Sequence, residues 1–150
     1  MAPVTREIVV AVPPEKLFDV IGDYDRYAEF VPGVKGCRVK SRGQAGVDVE
    51  YELDLGVKRI KYTLRHVEER PRKVTWSLVS GEWMKVSNGG WELSPEGSGT
   101  RARYTVDIQI AKPALVPKGL VDKVADELTR VQLPRTLEAF KARAEKSSIA

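Results

Sequence analysis

The period of the hydrophobic pattern changes twice along this chain, and that change constrains the fold more than any other feature. Through the middle of the sequence apolar residues recur every second position. Val47, Val49, Tyr51, Leu53 and Leu55 alternate with Asp48, Glu50, Glu52 and Asp54. Successive side chains of a strand point to opposite faces, so this segment predicts a strand with an apolar inner face and an acidic outer one. Leu55-Gly56-Val57-Lys58 reads as a tight hairpin. Beyond it Ile60, Tyr62, Leu64 and His66 share one face, and Arg59, Lys61, Thr63 and Arg65 the other. A turn around Pro71 and turn residues at 94–99 separate further strands over 74–80, 84–93 and 100–110.

The flanks have a different period. Residues 4–12 are rich in Val and Ile and predict a strand that stops at Pro13-Pro14. Pro14 to Ile21 reads as a helix, with Pro14 in its first turn and Leu17, Phe18 and Ile21 at helical spacing. Asp23 is placed to cap a second short helix carrying Tyr24, Tyr27 and Phe30, which Pro32-Gly33 ends. After Pro113 the 3.6 period returns in Leu120, Val124, Leu128 and Val131, and resumes after a shift at Leu137 and Phe140. Asp126 and Arg130 form an i,i+4 pair of the favourable order. Pro134 removes one backbone donor, so a kink is expected there rather than an end. A helix from about Pro117 to Arg143 is roughly 40 Å long. A compact chain of this size has a radius of gyration of only about 15 Å, so the helix must cross the whole fold. The tail from Glu145 to Ala150 is expected to fray.

The resulting class is α+β, one antiparallel sheet curling around one long helix. The 150 residues suggest a single domain spanning 1–150. A strongly curved sheet meets a straight helix along only part of its length, and the space left over is a natural apolar pocket. Composition narrows what such a pocket can do. Cys37 and His66 are the only residues of their kinds. An intrachain disulfide, a Cys-rich zinc site and a His-rich metal site are therefore excluded within one chain. Any nucleophilic triad would have to run through His66. No metal and no cofactor is expected. Charged residues make up 31% and the net charge is +4, a balance that permits an anionic partner without demanding one. The first residues carry no basic segment followed by an apolar one, and no apolar run approaches the ~20 residues of a membrane span. The expected location is cytoplasmic.

The candidate ligand-binding residues are the inward strand positions Tyr51, Leu53, Tyr62, Leu64, Trp76, Leu78, Tyr104 and Val106, with Leu120, Val124 and Leu128 from the helix. Any one of them taken alone reads as core; together they line the expected pocket. Inward tyrosine hydroxyls need hydrogen-bond partners, which a bound head group can supply. His66 reads first as a partly exposed strand-end residue bonded to Glu68 or Glu69, and second as a polar group at the cavity mouth. Cys37 reads as a small buried hydrophobe. The basic clusters at Lys58, Arg59 and Lys61, and at Arg65, Arg70, Arg72 and Lys73, read as charged sheet edges; contact with RNA or an anionic membrane is the sharper alternative. No RNA-recognition motif with interleaved aromatics accompanies them, so sequence-specific nucleic-acid binding is not expected.

Residues 13–33 resemble the opening of the START-like, or SRPBCC, superfamily. The run of Phe18, Asp23, Asp25, Tyr27, Phe30 and Pro32 is similar to its branch of polyketide cyclase/dehydrase and coenzyme Q-binding proteins. The segment from Gly81-Glu82-Trp83 to Trp91-Glu92-Leu93 resembles the same branch. The resemblance spans about Val4 to Phe140. It implies a helix-grip fold: a seven-stranded curved antiparallel sheet wrapped on a long C-terminal helix, with two short helices after the first strand. It also implies a hydrophobic tunnel whose entrance the short helices border, which adds Phe30, Val31 and Pro32 as entrance residues. Family members bind lipids, quinones, polyketides or plant hormones; some are aromatases or cyclases, and one branch is a ribosome-association toxin. Three functions follow as expectations. The first is binding or transport of a hydrophobic small molecule, a quinone, polyprenyl lipid or polyketide-like compound. The second is polyketide aromatase/cyclase activity, resting on Tyr51, Tyr62, Tyr104 and His66. The third is inhibition of translation through a transient ribosome contact.

Overall fold

The computed structural model describes residues 3–56, 58–111 and 115–147. Val57, Pro113 and the end of the tail lie outside the described residues. The strands run β1 (Val4–Val10), β2 (Val34–Gly43), β3 (Gly46–Asp54), β4 (Arg59–Glu69), β5 (Lys73–Gly81), β6 (Met84–Glu96) and β7 (Gly99–Ile110). They form one antiparallel sheet in the order β1-β7-β6-β5-β4-β3-β2. Between β1 and β2 lie α1 (Pro14–Ile21), a 3₁₀ turn (Tyr24–Arg26) and α2 (Tyr27–Phe30). At the C-terminal end α3 (Lys118–Asp126) runs through a π-helical turn (Glu127–Gln132) into α4 (Leu133–Ser147). This is the helix-grip architecture.

Local chemistry explains the elements. Val47, Val49, Tyr51 and Leu53 of β3 are all buried, and the carboxylates between them face outward. α1 buries Pro14, Leu17, Phe18 and Ile21 along one stripe. Asp23 does not cap the next turn with its side chain as expected; its carboxylate pairs with Arg26 at 3.4 Å. The neighbouring Asp25 instead accepts the Val39 N–H at 2.9 Å, tying the short helices to the edge strand β2.

The sheet bends because its ladders are interrupted. Register shifts fall at Val34/Gly36 and Val39/Ser41 between β2 and β3, at Thr63/Leu64 between β4 and β5, and at Met84/Val86 between β6 and β7. Extra residues of this kind increase local twist and curl a strand. β5 and β6 pair only over Lys73–Trp76 against Gly89–Glu92. Towards their hairpin they part, Glu82 N–H reaching Lys61 O at 3.2 Å while Trp83 O accepts Ala111 N–H at 2.9 Å. Gly89 sits where this divergence begins. A Cβ there would lie 2.4 Å from the Thr105 carbonyl oxygen and 2.7 Å from the Trp76 ring. The missing side chain is what lets the indole lie against the strand and face inward.

Pro134 does not end the helix. It is the second residue of α4, directly after the π-helical turn, and that widened turn accommodates the missing N–H donor. Val124, Leu128, Leu133, Leu137, Phe140 and Ala144 are the buried stripe. Phe140 meets Tyr27, Phe30 and Trp91 edge-on, at centroid separations of 5.1, 5.2 and 5.4 Å. Phe140→Ala is expected to cost about 3–5 kcal/mol, since it removes a buried ring contacting three aromatic side chains on two other elements. Chemical denaturation checks this; a loss under 1 kcal/mol would show that the helix is held elsewhere.

Candidate functional site

Between the concave face of the sheet and the C-terminal helix lies a cavity of about 120 Å³. The strands give it Tyr51 and Leu53 (β3), Tyr62, Leu64 and His66 (β4), Trp76 (β5), Met84, Ser87 and Trp91 (β6), and Tyr104, Val106 and Ile108 (β7). Val34 of β2 also lines it, and the rest of the wall is Tyr27 and Val31, then Leu128, Gln132, Leu133, Thr136 and Phe140 of the helix.

Some residues expected from the sequence lie elsewhere. Phe30 turns to Phe140 and carries the Arg143 guanidinium over its ring at 5.0 Å. Val124 is fully buried in the core, and Leu78 and Leu120 are half-buried outside the wall. The cavity thus lies under the π-helical turn and the start of α4, further along the helix than the Leu120–Val124 stripe suggested. Gln132, Leu133 and Thr136 are brought in by this shift, which periodicity alone does not show. Trp91 and Phe140 were visible as pattern residues but not as wall residues.

His66 overturns its first reading. β4 continues to Glu69, so the residue is not at a strand end. It is only 4% exposed, and its Nε2 lies 2.7 Å from the Tyr51 hydroxyl. Glu68 is engaged elsewhere, accepting the Tyr24 hydroxyl at 2.6 Å. Burial pushes the His66 pKa from 6.5 down to about 3, against a weaker opposing pull from Asp48. Burial also pushes the Tyr51, Tyr62 and Tyr104 phenols above their ordinary range. Cys37 is half-buried and its thiol is pushed up to about 12, chiefly by burial, so it is not a ready nucleophile.

At one margin of the cavity Gln132 donates from Nε2 to the Pro32 carbonyl and approaches Thr136 Oγ1 at 3.4 Å. Gly33 makes this closure fit: its φ is +84°, and a Cβ would come 2.9 Å from Gln132 Oε1.

Several arginines of the sheet and its turns are paired with carboxylates. Arg65 grips Asp48 with two bonds of 2.8 and 3.1 Å, and Arg59, Arg70 and Arg72 lie within 4.0 Å of carboxylates. Arg101 joins Glu7 and Glu96 across three strands. Among the described residues no cluster of metal-ligating side chains occurs, and no helix is long and apolar enough to cross a membrane.

Residues 1–145 match the family model described as polyketide cyclase/dehydrase and lipid transport. The chain belongs to that family. The "Persistence and stress-resistance toxin PasT" of Escherichia coli is 26% identical over 150 residues, covering 95% of this chain and 92% of the relative. The fold is similar to the Zhui aromatase/cyclase of Streptomyces sp. R1128, with a TM-score of 0.85 and 18% identity over 97% of this chain and 94% of that one. A START superfamily protein of Mycobacterium smegmatis matches with a TM-score of 0.78 and 20% identity, over 96% and 97% of the two chains. At these identities the two structures establish the shared START-like fold and nothing further.

The buried histidine generates a pH prediction. Its folded-state pKa lies below that of the unfolded chain, so unfolding takes up a proton between pH 6.5 and 3. This contribution to stability is complete above pH 6.5 and falls by about 1.4 kcal/mol per unit as the pH drops below it. Because the chain has one histidine, its ring-proton NMR signals are unambiguous. They are expected to stay flat from pH 8 to 4; a midpoint near 6.5 would contradict the burial.

Proposed function

We propose that this member of the polyketide cyclase/dehydrase and lipid transport family binds and carries, or senses, a neutral hydrophobic small molecule of quinone, polyprenyl or polyketide-like type. The observation that carries the reading is the aromatic-walled cavity between sheet and helix. Tyr51 and Tyr62 stack at 5.3 Å, Trp76 and Trp91 flank Tyr104 at 5.5 and 4.8 Å, and a flat apolar group finds both ring faces and ring edges there.

The charge state of the wall favours carriage over catalysis. A general acid or base works best with a pKa near the operating pH. The buried phenols are displaced upward and His66 is displaced downward, so neither matches neutral pH. The size of the space also bears on the ligand. Pockets for drug-sized ligands span ~300–1,000 Å³, whereas about 120 Å³ is of the order of one six-membered ring. A longer ligand has to widen the cavity, and the Gln132–Pro32 closure is the contact it would part.

A ribosome-directed function is the second reading, drawn from the toxin-named relative. The outer-face arginines weigh against a simple electrostatic patch, because carboxylates already partner them.

Native mass spectrometry of protein purified from its host is expected to show a co-bound apolar compound. Val106→Phe places a ring in the cavity and is expected to abolish that adduct while the fold persists. Repeatedly empty wild-type protein, together with ribosome profiles altered by overexpression, would favour the second reading.

A further inference from the structure

Among the described residues, two that are not glycine hold a left-handed backbone, and both stand at one end of the fold. Trp83 has φ +69° in the hairpin between β5 and β6, and Leu115 has φ +68° between β7 and α3. Bulky residues adopt this conformation only where the surrounding structure holds them in it. Here hydrogen bonds tie the loops together. Ala111 N–H donates to Trp83 O at 2.9 Å, and Glu82 N–H donates to Lys61 O at 3.2 Å, so the β3–β4 hairpin shares this end. The cavity lies close behind, because Met84 and Ile108 line its wall.

This end presents apolar groups and free cations to solvent. Leu115 is fully exposed and Trp83 is only half-buried. The Lys58 ammonium lies 5.8 Å from the centre of the Trp83 ring. Arg59 pairs with Glu52 and Asp54, and Lys118 with Asp122. Lys58, Lys61 and Lys85 enter no ion pair among the described residues, and neither does Glu82. Cations therefore predominate among the free charges.

The occupant follows from this chemistry. A leucine held out in water gains free energy when something apolar covers it. A stable protein interface takes ~800 Å² from each partner, which two protruding side chains among lysines do not offer. A nucleic acid would use the lysines and leave the leucine uncovered. A bilayer accepts single protruding side chains without a matching shape. The leucine enters the acyl boundary, the indole lies at headgroup level, and lysine stems reach alongside with their ammonium groups toward phosphates.

We infer that the end carrying Trp83, Leu115 and Lys58 docks this protein on the surface of an anionic bilayer. The inference goes beyond the proposed carriage of a hydrophobic compound and does not depend on it. Co-sedimentation with vesicles tests it, using equal parts phosphatidylcholine and phosphatidylglycerol against phosphatidylcholine alone. The protein is expected to sediment with the anionic vesicles, less with the neutral ones, and less as salt is raised. Leu115→Gln is expected to weaken anionic-vesicle binding about tenfold, and its full exposure leaves the fold untouched. Lys58→Gln and Lys85→Gln should each cost about fivefold, on anionic vesicles alone. Val67→Gln changes an exposed side chain near the far end of β4 and should change nothing. Val106→Phe should sediment as wild type, which separates docking from the cavity reading. No sedimentation, or equal losses in Leu115→Gln and Val67→Gln, would overturn the inference. So would binding to ribosomes in place of vesicles that Lys58→Gln weakens and Leu115→Gln leaves intact.

Discussion

One aromatic side chain holds the two halves of this molecule in register. Phe140 reaches from the C-terminal helix to Tyr27 and Phe30 of the short helices and to Trp91 of the sheet, edge-on in each case. Edge-to-face contacts add directionality to burial, so this cluster fixes where the helix lies as well as that it packs. On one side of that point the sheet has curled away, and the cavity is the space that curvature leaves. That space has a volume of about 120 Å³ and is walled largely by aromatic side chains.

The chemistry of the wall follows from the same burial. The side chains that look reactive in isolation are displaced from their ordinary behaviour by being removed from water. His66 is held uncharged, the phenols are held protonated, and the single thiol is pushed up to about 12. On the outer face of the sheet Arg65–Asp48 and the Glu7–Arg101–Glu96 group satisfy one another. The cavity wall thus carries no charged side chain, and several of the charges on the outer face are paired. Such an arrangement suits holding an uncharged compound better than moving protons or gripping phosphates.

Much of the scaffold was legible in the sequence because period and burial are directly coupled. The alternation from Val47 to Leu55 put every inward residue of β3 on the correct face, and Pro14 and Gly22 bounded α1. The site was less legible, for three physical reasons. The π-helical turn before Pro134 rotates the helix stripe, bringing Gln132, Leu133 and Thr136 into the wall in place of Leu120 and Val124. The parting of β5 from β6 after Trp76 depends on long-range pairing that leaves no local signal, although Gly89 marks where it starts. His66 lay in phase with an inward face, yet its burial depended on β4 running three residues further than the apolar pattern did.

The central claim is that the space between sheet and helix is a binding site for an uncharged ring. Intermolecular nuclear Overhauser effects from ethylbenzene to the methyl groups of the labelled protein test it most directly. The account predicts contacts to Val106, Leu128 and Met84, which line the cavity from two strands and the helix. Contacts confined to exposed methyls such as those of Val9 and Val67, or no contacts at saturating ligand, would contradict it.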